Sequence, residues 1–455
     1  WSWVVGPGFG SAPDLSQAVM NAVAQQVAAR AEEFAPQGLS NAAWALSQHA
    51  VWSRSSPQTT PQGEVEGARQ AAAEAIADQV VSGPTRFKAH ELSCILSSFA
   101  RMGYSAPEAF TKAAAYQIKG QASQLNPEGL SLVLWAFTRF RQSHAPRPML
   151  EALATEAARK AAFFGPEEMA STAWGFASLG FPAPRVFDAF AKEGPRLVKD
   201  MSGKGLATLA WAYQRVRHNA PTLMGFIPPR LIDKAAVGEL SIGEMAMALH
   251  AYGENGHRSP ALFKQLGKMA CERAGELSPG EAAMVLRACA KAGRNPVGLY
   301  ETLAGRMACC SSDAKPQELA MAAWALGKAS HKCEAFEDAL ATEIVGRPAE
   351  FSPQELSNVL YPLAKLKYSE SALQDVCTTI EGEIGRRRAE FKQRDLQMLC
   401  SSFSSSGYRD PAVCKEVRAA ALERPAKSST QGGGKGPPGG RRVASKSKSK
   451  KNNRQ

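Results

Sequence analysis

Five tryptophans, Trp44, Trp135, Trp174, Trp211 and Trp324, stand inside closely similar apolar segments. Tyr361, His250 and Arg287 fill the same position in three more segments. One helical turn further on, six segments carry a cation: Arg101, Arg139, Arg215, Lys291, Lys328 or Lys365. One turn before the ring, Asn41, Ser171, Thr208 and Asn358 offer short polar side chains. Bases can stack on flat rings, Lys and Arg can hold phosphates, and short polar groups can read base edges. That combination suits single-stranded nucleic acid, one base per segment. Two ordinary roles compete with it. A tryptophan on the flank of a helix can pack between neighbouring helices, and a cation near a helix C-terminus complements the dipole.

The segments that must position these groups are PQGLSNAAWAL (36–46), PEGLSLVLWAF (127–137), PEEMASTAWGF (166–176), PQELAMAAWAL (316–326) and PQELSNVLYPL (353–363). Taking the Leu or Met after the charged or Gly residue as position 0, the anchors are Leu39, Leu92, Leu130, Met169, Leu206, Met245, Ala282, Leu319, Leu356 and Leu396. After a first gap of 53 residues, which holds a polar insertion near 51–66, successive anchors lie 37 to 40 residues apart. In this register the rings are at +5, the cations at +9 and the short polar groups at +2.

Each copy opens with helix-start chemistry. Position −3 is Pro in six copies, which suits the first helical residue. Asn126, Ser202, Ser241, Ser278 and Ser352 stand at −4 as N-caps. Position −1 is acidic in seven copies, and Ser-Pro-Gln-Glu at 352–355 spells a capping box. Phe34, Phe87, Phe164, Phe351 and Phe391, at −5, can staple onto the anchor. The first helix, helix A, should run about 14 residues and stop at Gly103, Gly180, Gly256, Gly293 or Gly407. A second helix B follows, with starts such as Ser259-Pro260 and Asp410-Pro411, and near Pro184–Val198 it should bury Val186, Phe187 and Phe190.

On a wheel of about 100° per residue, positions 0, +3, +4 and +7 form the core stripe. Positions +1, +6 and +8 are small, and +2, +5 and +9 point away from the core. A helical hairpin cannot bury its apolar face alone, and stacking supplies the core. The expected fold is therefore all-α: an α-solenoid of about ten helix-turn-helix repeats over residues 11–424. The period exceeds those of tetratricopeptide and ankyrin repeats. Residues 1–10 read as the remnant of an upstream repeat. Residues 425–455 read as a disordered basic tail, with nine Lys/Arg and no Asp/Glu. The whole chain of 455 residues is +12, but outside that tail 45 Lys/Arg face 42 Asp/Glu. Global basicity is thus weak evidence about the body.

The repeat, written F-x-P-Q-E-L-S-N-x-x-W-A-L-A-K-L, resembles the helical-repeat organellar RNA-binding proteins. These include octotricopeptide-repeat proteins and the FAST-kinase-like and RAP-domain proteins. The likeness is best at 34–50, 164–181 and 351–367. It implies a single-stranded RNA partner, a mitochondrial or plastid address, and action in RNA processing, stability or translation, with processing or ribosomal proteins as further partners. The small α/β RAP module has no counterpart here, and the octotricopeptide motif Pro-Pro-Pro-Glu-Trp is absent, so neither a nuclease-like activity nor a base code is carried over. A protein-binding scaffold and a structural subunit of an organellar ribonucleoprotein are the alternatives.

Chemistry of other kinds finds little support. No cysteine pair has Cys-x-x-Cys spacing, Cys309 and Cys310 read as free thiols, and the seven His form no His-Glu-x-x-His. GGGKG (432–436) lacks the strand and hydroxyl of a phosphate loop. No apolar run reaches the length of a membrane span. No enzyme activity, cofactor, metal, membrane or small-molecule substrate is expected.

Overall fold

A computed structural model describes residues 13–55, 62–140, 145–255, 259–409 and 411–422. The expected remnant 1–10, the tail 425–455, Gly256 and Asp410 lie outside them. Among the described residues there are 21 α-helices and no strand. The A helices are α2 (Pro36–Ser55), α4 (Ala89–Met102), α6 (Pro127–Arg139), α8 (Pro166–Ser178), α10 (Gly203–Val216), α12 (Ile242–Asn255), α14 (Pro279–Ala292), α16 (Pro316–Ala329), α18 (Pro353–Lys365) and α20 (Gln393–Ser405). The B helices are α1 (Pro13–Arg30), α3 (Gln62–Ser82), α5 (Glu108–Gln121), α7 (Arg147–Arg159), α9 (Pro184–Leu197), α11 (Pro221–Ala236), α13 (Pro260–Glu272), α15 (Leu299–Cys309), α17 (Glu334–Gly346), α19 (Glu370–Arg386) and α21 (Ala412–Leu422). Each A helix packs on the A helices before and after it, the B helices from α1 to α19 do likewise, and α21 packs on α20. The result is a two-layered α-solenoid with one continuous core. No described helix is long and apolar enough to cross a membrane.

The local chemistry explains why every copy folds alike. Asn126 and Ser202 accept from the backbone N–H three residues on, at 2.8 and 3.0 Å. Ser241, Ser278 and Ser352 do so at 3.3 Å. The acidic residue at −1 returns a bond to the cap N–H, as in Glu91 to Lys88 (2.7 Å) and Glu355 to Ser352 (2.7 Å). Where −1 is glycine in the fifth copy, Glu167 of the preceding repeat accepts from the Ser202 N–H instead, at 3.1 Å. Ser259, read as a cap for helix B, makes no capping bond; its helix starts on Pro260 alone.

The C-terminal ends are as regular. Position +11 is left-handed in seven copies: Gly103, Gly180, Gly293 and Gly407, but also Arg217, Ser330 and Lys367. The N–H at +12 then donates to the carbonyl at +7 in all seven, from Tyr104 to Phe99 through to Tyr408 to Phe403, at 2.9–3.2 Å. This is the bond pattern of a Schellman cap, with its hydrophobic contact supplied by ring pairs such as Phe99–Tyr104 and Phe403–Tyr408. The expectation of glycine stops was too narrow: the turn geometry holds even where a side chain must tolerate a positive φ.

From α3 onward, successive A helices approach one another more closely than successive B helices do. Small residues at +6 and +8 allow this. A Cβ on Gly175 would meet the Leu134 Cβ at 2.6 Å, one on Gly253 the Ala288 backbone at 2.7 Å, and one on Gly327 the Pro362 Cβ at 2.4 Å. The A layer is therefore the tighter of the two layers and the B layer the outer, looser one.

A second device ties the repeats together on the other edge. A cation near the end of a B helix reaches back to the turn that enters the preceding A helix. Lys160 donates to the Ser123 and Leu125 carbonyls at 2.7 and 2.6 Å. Arg273 reaches Leu240 O, Arg306 reaches Leu277 O, and Arg387 reaches Phe351 O. Arg347 donates to Ser311 O and Ala314 O at 3.1 and 2.7 Å while pairing with Glu343 at 2.8 Å. These cations are structural.

Cys400 and Cys414 form a disulfide between α20 and α21, with Cα atoms 5.3 Å apart. Sequence reasoning left every cysteine unpaired, because the two lie 14 residues apart and only the hairpin turn brings them together. Cys309 and Cys310 are free thiols. The polar insertion near 51–66 is taken up partly by a longer A helix, since α2 runs to Ser55.

Replacing Arg347 by Ala should cost about 2–3 kcal/mol, the scale for losing charged hydrogen bonds to the Ser311 and Ala314 carbonyls. Urea unfolding followed by circular dichroism measures it, and Arg347→Lys should recover part of the loss.

Candidate nucleic-acid interface

Parallel stacking of the A helices brings like positions of successive repeats side by side. The bonds between +5 and +9 residues demonstrate the register from the sixth to the ninth copy. Glu254, at +9 of α12, pairs with Arg287 (+5 of α14) at 3.0 Å and with Lys291 (+9 of α14). The Arg287 guanidinium lies over the Trp324 ring (+5 of α16), 4.9 Å from its centre. Lys328, at +9 of α16, covers the same ring at 5.8 Å. Lys365, at +9 of α18, donates to Gly327 O at 2.7 Å and to the Ser330 hydroxyl at 3.4 Å. Over these four copies the +5 and +9 groups are neighbours, and they touch across the repeat boundary.

The indoles are neither free nor sealed. Trp44, Trp135, Trp174, Trp211 and Trp324 are all half-buried. Trp135, Trp211 and Trp324 pack against the core on one side. The expectation that +5 points away from the core needs correcting for these three: a side chain about 140° from the stripe still reaches the core between closely spaced helices. Tyr361 stands clear, 46% exposed. Arg139 covers Trp135 at 5.5 Å. Trp174 and Trp211 carry no cation over their rings among the described residues. Trp44 differs again. It lies with Asn41 in an apolar cleft between α1 and α2, beside Met20, Val23 and Phe34.

The cations divide by duty. Arg139 and Lys328 sit on rings; Lys291 is paired with Glu254; Lys365 caps α16. Arg215 is exposed and makes no ion pair among the described residues. Arg101 is half-buried at the end of α4. The two ordinary roles weighed for +5 and +9 are thus real in part, and in Lys365 dipole complementation is direct. At +2, Asn41 is exposed and bonds Gln37 at 3.3 Å. The side chains of Ser171, Thr208 and Asn358 are half-buried and unpartnered among the described residues.

The sixth copy departs from the pattern at both +5 and +9. His250, at +5 of α12, has its Nδ1 buried without a partner. Burial pushes its imidazole below the ordinary range, with Glu254 opposing and Arg287 and Lys291 assisting, so the ring is neutral at physiological pH. Glu254 is the acidic residue at +9, visible in the register but not singled out. Burial raises its carboxyl, yet the Lys291 hydrogen bond and the charges of Arg287, Lys291 and His250 outweigh that and hold it below the ordinary carboxylate range. Among the described residues no group of His, Cys, Asp and Glu could hold a metal.

No family model matches the sequence, and no curated protein matches it. Among solved structures, the chain is similar to the pentatricopeptide repeat protein PPR10 from maize, at 12% identity and a TM-score of 0.26, over 90% of this chain and 73% of that one. So loose a superposition transfers no residue role.

A carboxyl held low in the folded state stabilises it above the unfolded Glu value near pH ~4.3, and that contribution is lost as pH falls through the folded value. Glu254→Gln should therefore destabilise the protein at pH 7 by about 1–2 kcal/mol, with the gap to wild type closing below pH ~4. Thermal unfolding across that range checks the sign.

Proposed function

We propose that this protein binds single-stranded RNA along the A-layer track and acts by occupancy, without catalysis. The recurrence of rings at +5 and cations at +9, side by side from the sixth to the ninth copy, carries the reading. Trp44, Trp135, Trp174, Trp211, Trp324 and Tyr361 would stack bases; Arg101, Arg139, Arg215, Lys328 and Lys365 would hold phosphates, and Lys291 stands in the same row but is engaged by Glu254; Asn41, Ser171, Thr208 and Asn358 would face base edges. An indole fixed along one edge by the core, with the rest open, is a rigid stacking platform that loses little entropy on binding. The RNA preference over DNA, the mitochondrial or plastid setting, and the roles in processing, stability or translation rest on the repeat's resemblance to organellar RNA-binding proteins. The basic tail 425–455 would add affinity that is independent of sequence.

Trp174 and Trp211 belong to adjacent repeats and carry no covering cation among the described residues, so they are the direct test. Trp174→Ala with Trp211→Ala should weaken binding of a fluorescent U12 RNA by about 30-fold or more, at ~1–3 kcal/mol per stacked base, with helical circular dichroism unchanged. Equal affinity in a folded double variant would remove the stacking mechanism. Deleting 425–455 should leave the body binding more weakly, with a shallower salt dependence. Loss of all RNA binding on that deletion would favour the protein-binding scaffold.

A further inference from the structure

Position +9 is a cation in six copies and an acid in one, Glu254. Its carboxylate is buried to 13% exposure. It accepts from Arg287 at one oxygen and from Lys291 at the other. Those two cations belong to the next repeat and occupy its +5 and +9 positions. The geometry is the one a backbone phosphate would adopt on that repeat: an anion held between a guanidinium and an ammonium, beside the Trp324 ring that Arg287 also covers. On the other flank stands His250, neutral and without a free charge to offer. The sixth and seventh copies thus present a track segment whose positive charge is already spent inside the protein.

We propose that Glu254 is a specificity-determining residue of the RNA track: it stands in for a phosphate at the seventh repeat and excludes the RNA backbone there. This rests on the RNA-binding reading above and deepens it. The bound strand is then held in two stretches. One runs over Trp135, Trp174 and Trp211 with Arg139 and Arg215; the other runs over Trp324 and Tyr361 with Lys328. Between them the strand crosses about two repeats without a stacking ring or an available cation. A ligand is selected by a spacing of two short single-stranded runs, and not by one uninterrupted run. The carboxylate resists displacement because protonation, the simplest way to remove its charge, is disfavoured by the same two cations.

The test compares the full chain with Glu254→Gln, with Glu254→Ala as a second variant. Both substitutions leave Arg287 and Lys291 able to reach solvent, since each is about one-third exposed. Glu272→Gln on α13, which removes an exposed carboxylate paired with Lys268 on the outer layer, controls for net charge. Affinity for U12 RNA is measured by fluorescence anisotropy across a salt series, and folding by thermal unfolding. The expected result is a gain of about 5–10-fold at low salt and a log–log salt slope steeper by about 1.4, two phosphates at ~0.7 each for a single strand. Adding Lys291→Ala to Glu254→Gln should cancel about half of that steepening. Wild-type binding with the same affinity and slope in both folded Glu254 variants overturns the proposal while leaving the RNA reading intact. An equal gain in Glu272→Gln also overturns it, as a general charge effect. If neither wild type nor variants bind RNA, the track reading fails and the proposal with it.

Discussion

The close approach of successive A helices is the constraint on which the remaining features depend. A single hairpin of this composition has no core; it gains one only against its neighbours. The inner layer achieves that with almost no side-chain thickness at the seam, where Gly175, Gly253 and Gly327 face Leu134, Ala288 and Pro362 at distances that exclude even a methyl group. That tight spacing belongs to the A layer. It also decides what happens to the residues just beyond the seam. At Trp135, Trp211 and Trp324 the +5 side chain is half-buried and packed against the core, whereas Tyr361 stands exposed. The +9 side chain is within reach of the neighbour's +5 and +9 groups and of its helix C-terminus.

Much of the architecture was legible because it is written in local chemistry. The five caps at −4, the acidic residues at −1 and the apolar residue at −5 each act within one helical turn, and repetition in ten copies makes the signal cumulative. The +11 turn was only half legible. Gly103, Gly180, Gly293 and Gly407 announce a left-handed residue, whereas Arg217, Ser330 and Lys367 adopt the same conformation because the flanking ring-to-core contact and two backbone bonds offset its cost. The Cys400–Cys414 pair and the straps from Lys160, Arg273, Arg347 and Arg387 were hidden, since each joins elements whose adjacency exists only after stacking.

The candidate track was legible in position and not in state. A wheel places +5 and +9 on one side of a helix, but it treats that helix as isolated. It cannot say that Arg287 covers the ring of another repeat, that Lys365 satisfies the last carbonyls of α16, or that Lys291 is paired. Each of those interactions crosses a repeat boundary of 37 to 40 residues. The body's charge has the same lesson. Many of its cations are engaged with carbonyls or carboxylates, so the number available to a polyanion is smaller than the composition suggests, and where they remain matters more than how many there are.

The covered rings bear on how a base could use the track at all. A guanidinium over an indole is held by the ring quadrupole, worth about 0.5–1 kcal/mol at exposed sites. A base arriving at Trp135 or Trp324 can displace that cation, losing the attraction but leaving it free to follow the phosphate. Alternatively, the base can stack on the flat guanidinium itself, extending the column. Either course keeps the charge beside the backbone of the arriving nucleotide. At Trp324 the first course is closed in part, because Arg287 is also bound to Glu254 and leaving the ring does not release it. The uncovered rings of Trp174 and Trp211 carry no such constraint. Their neighbour Arg215 is unpaired among the described residues, so charge and stacking surface are both available there without first breaking a contact within the protein.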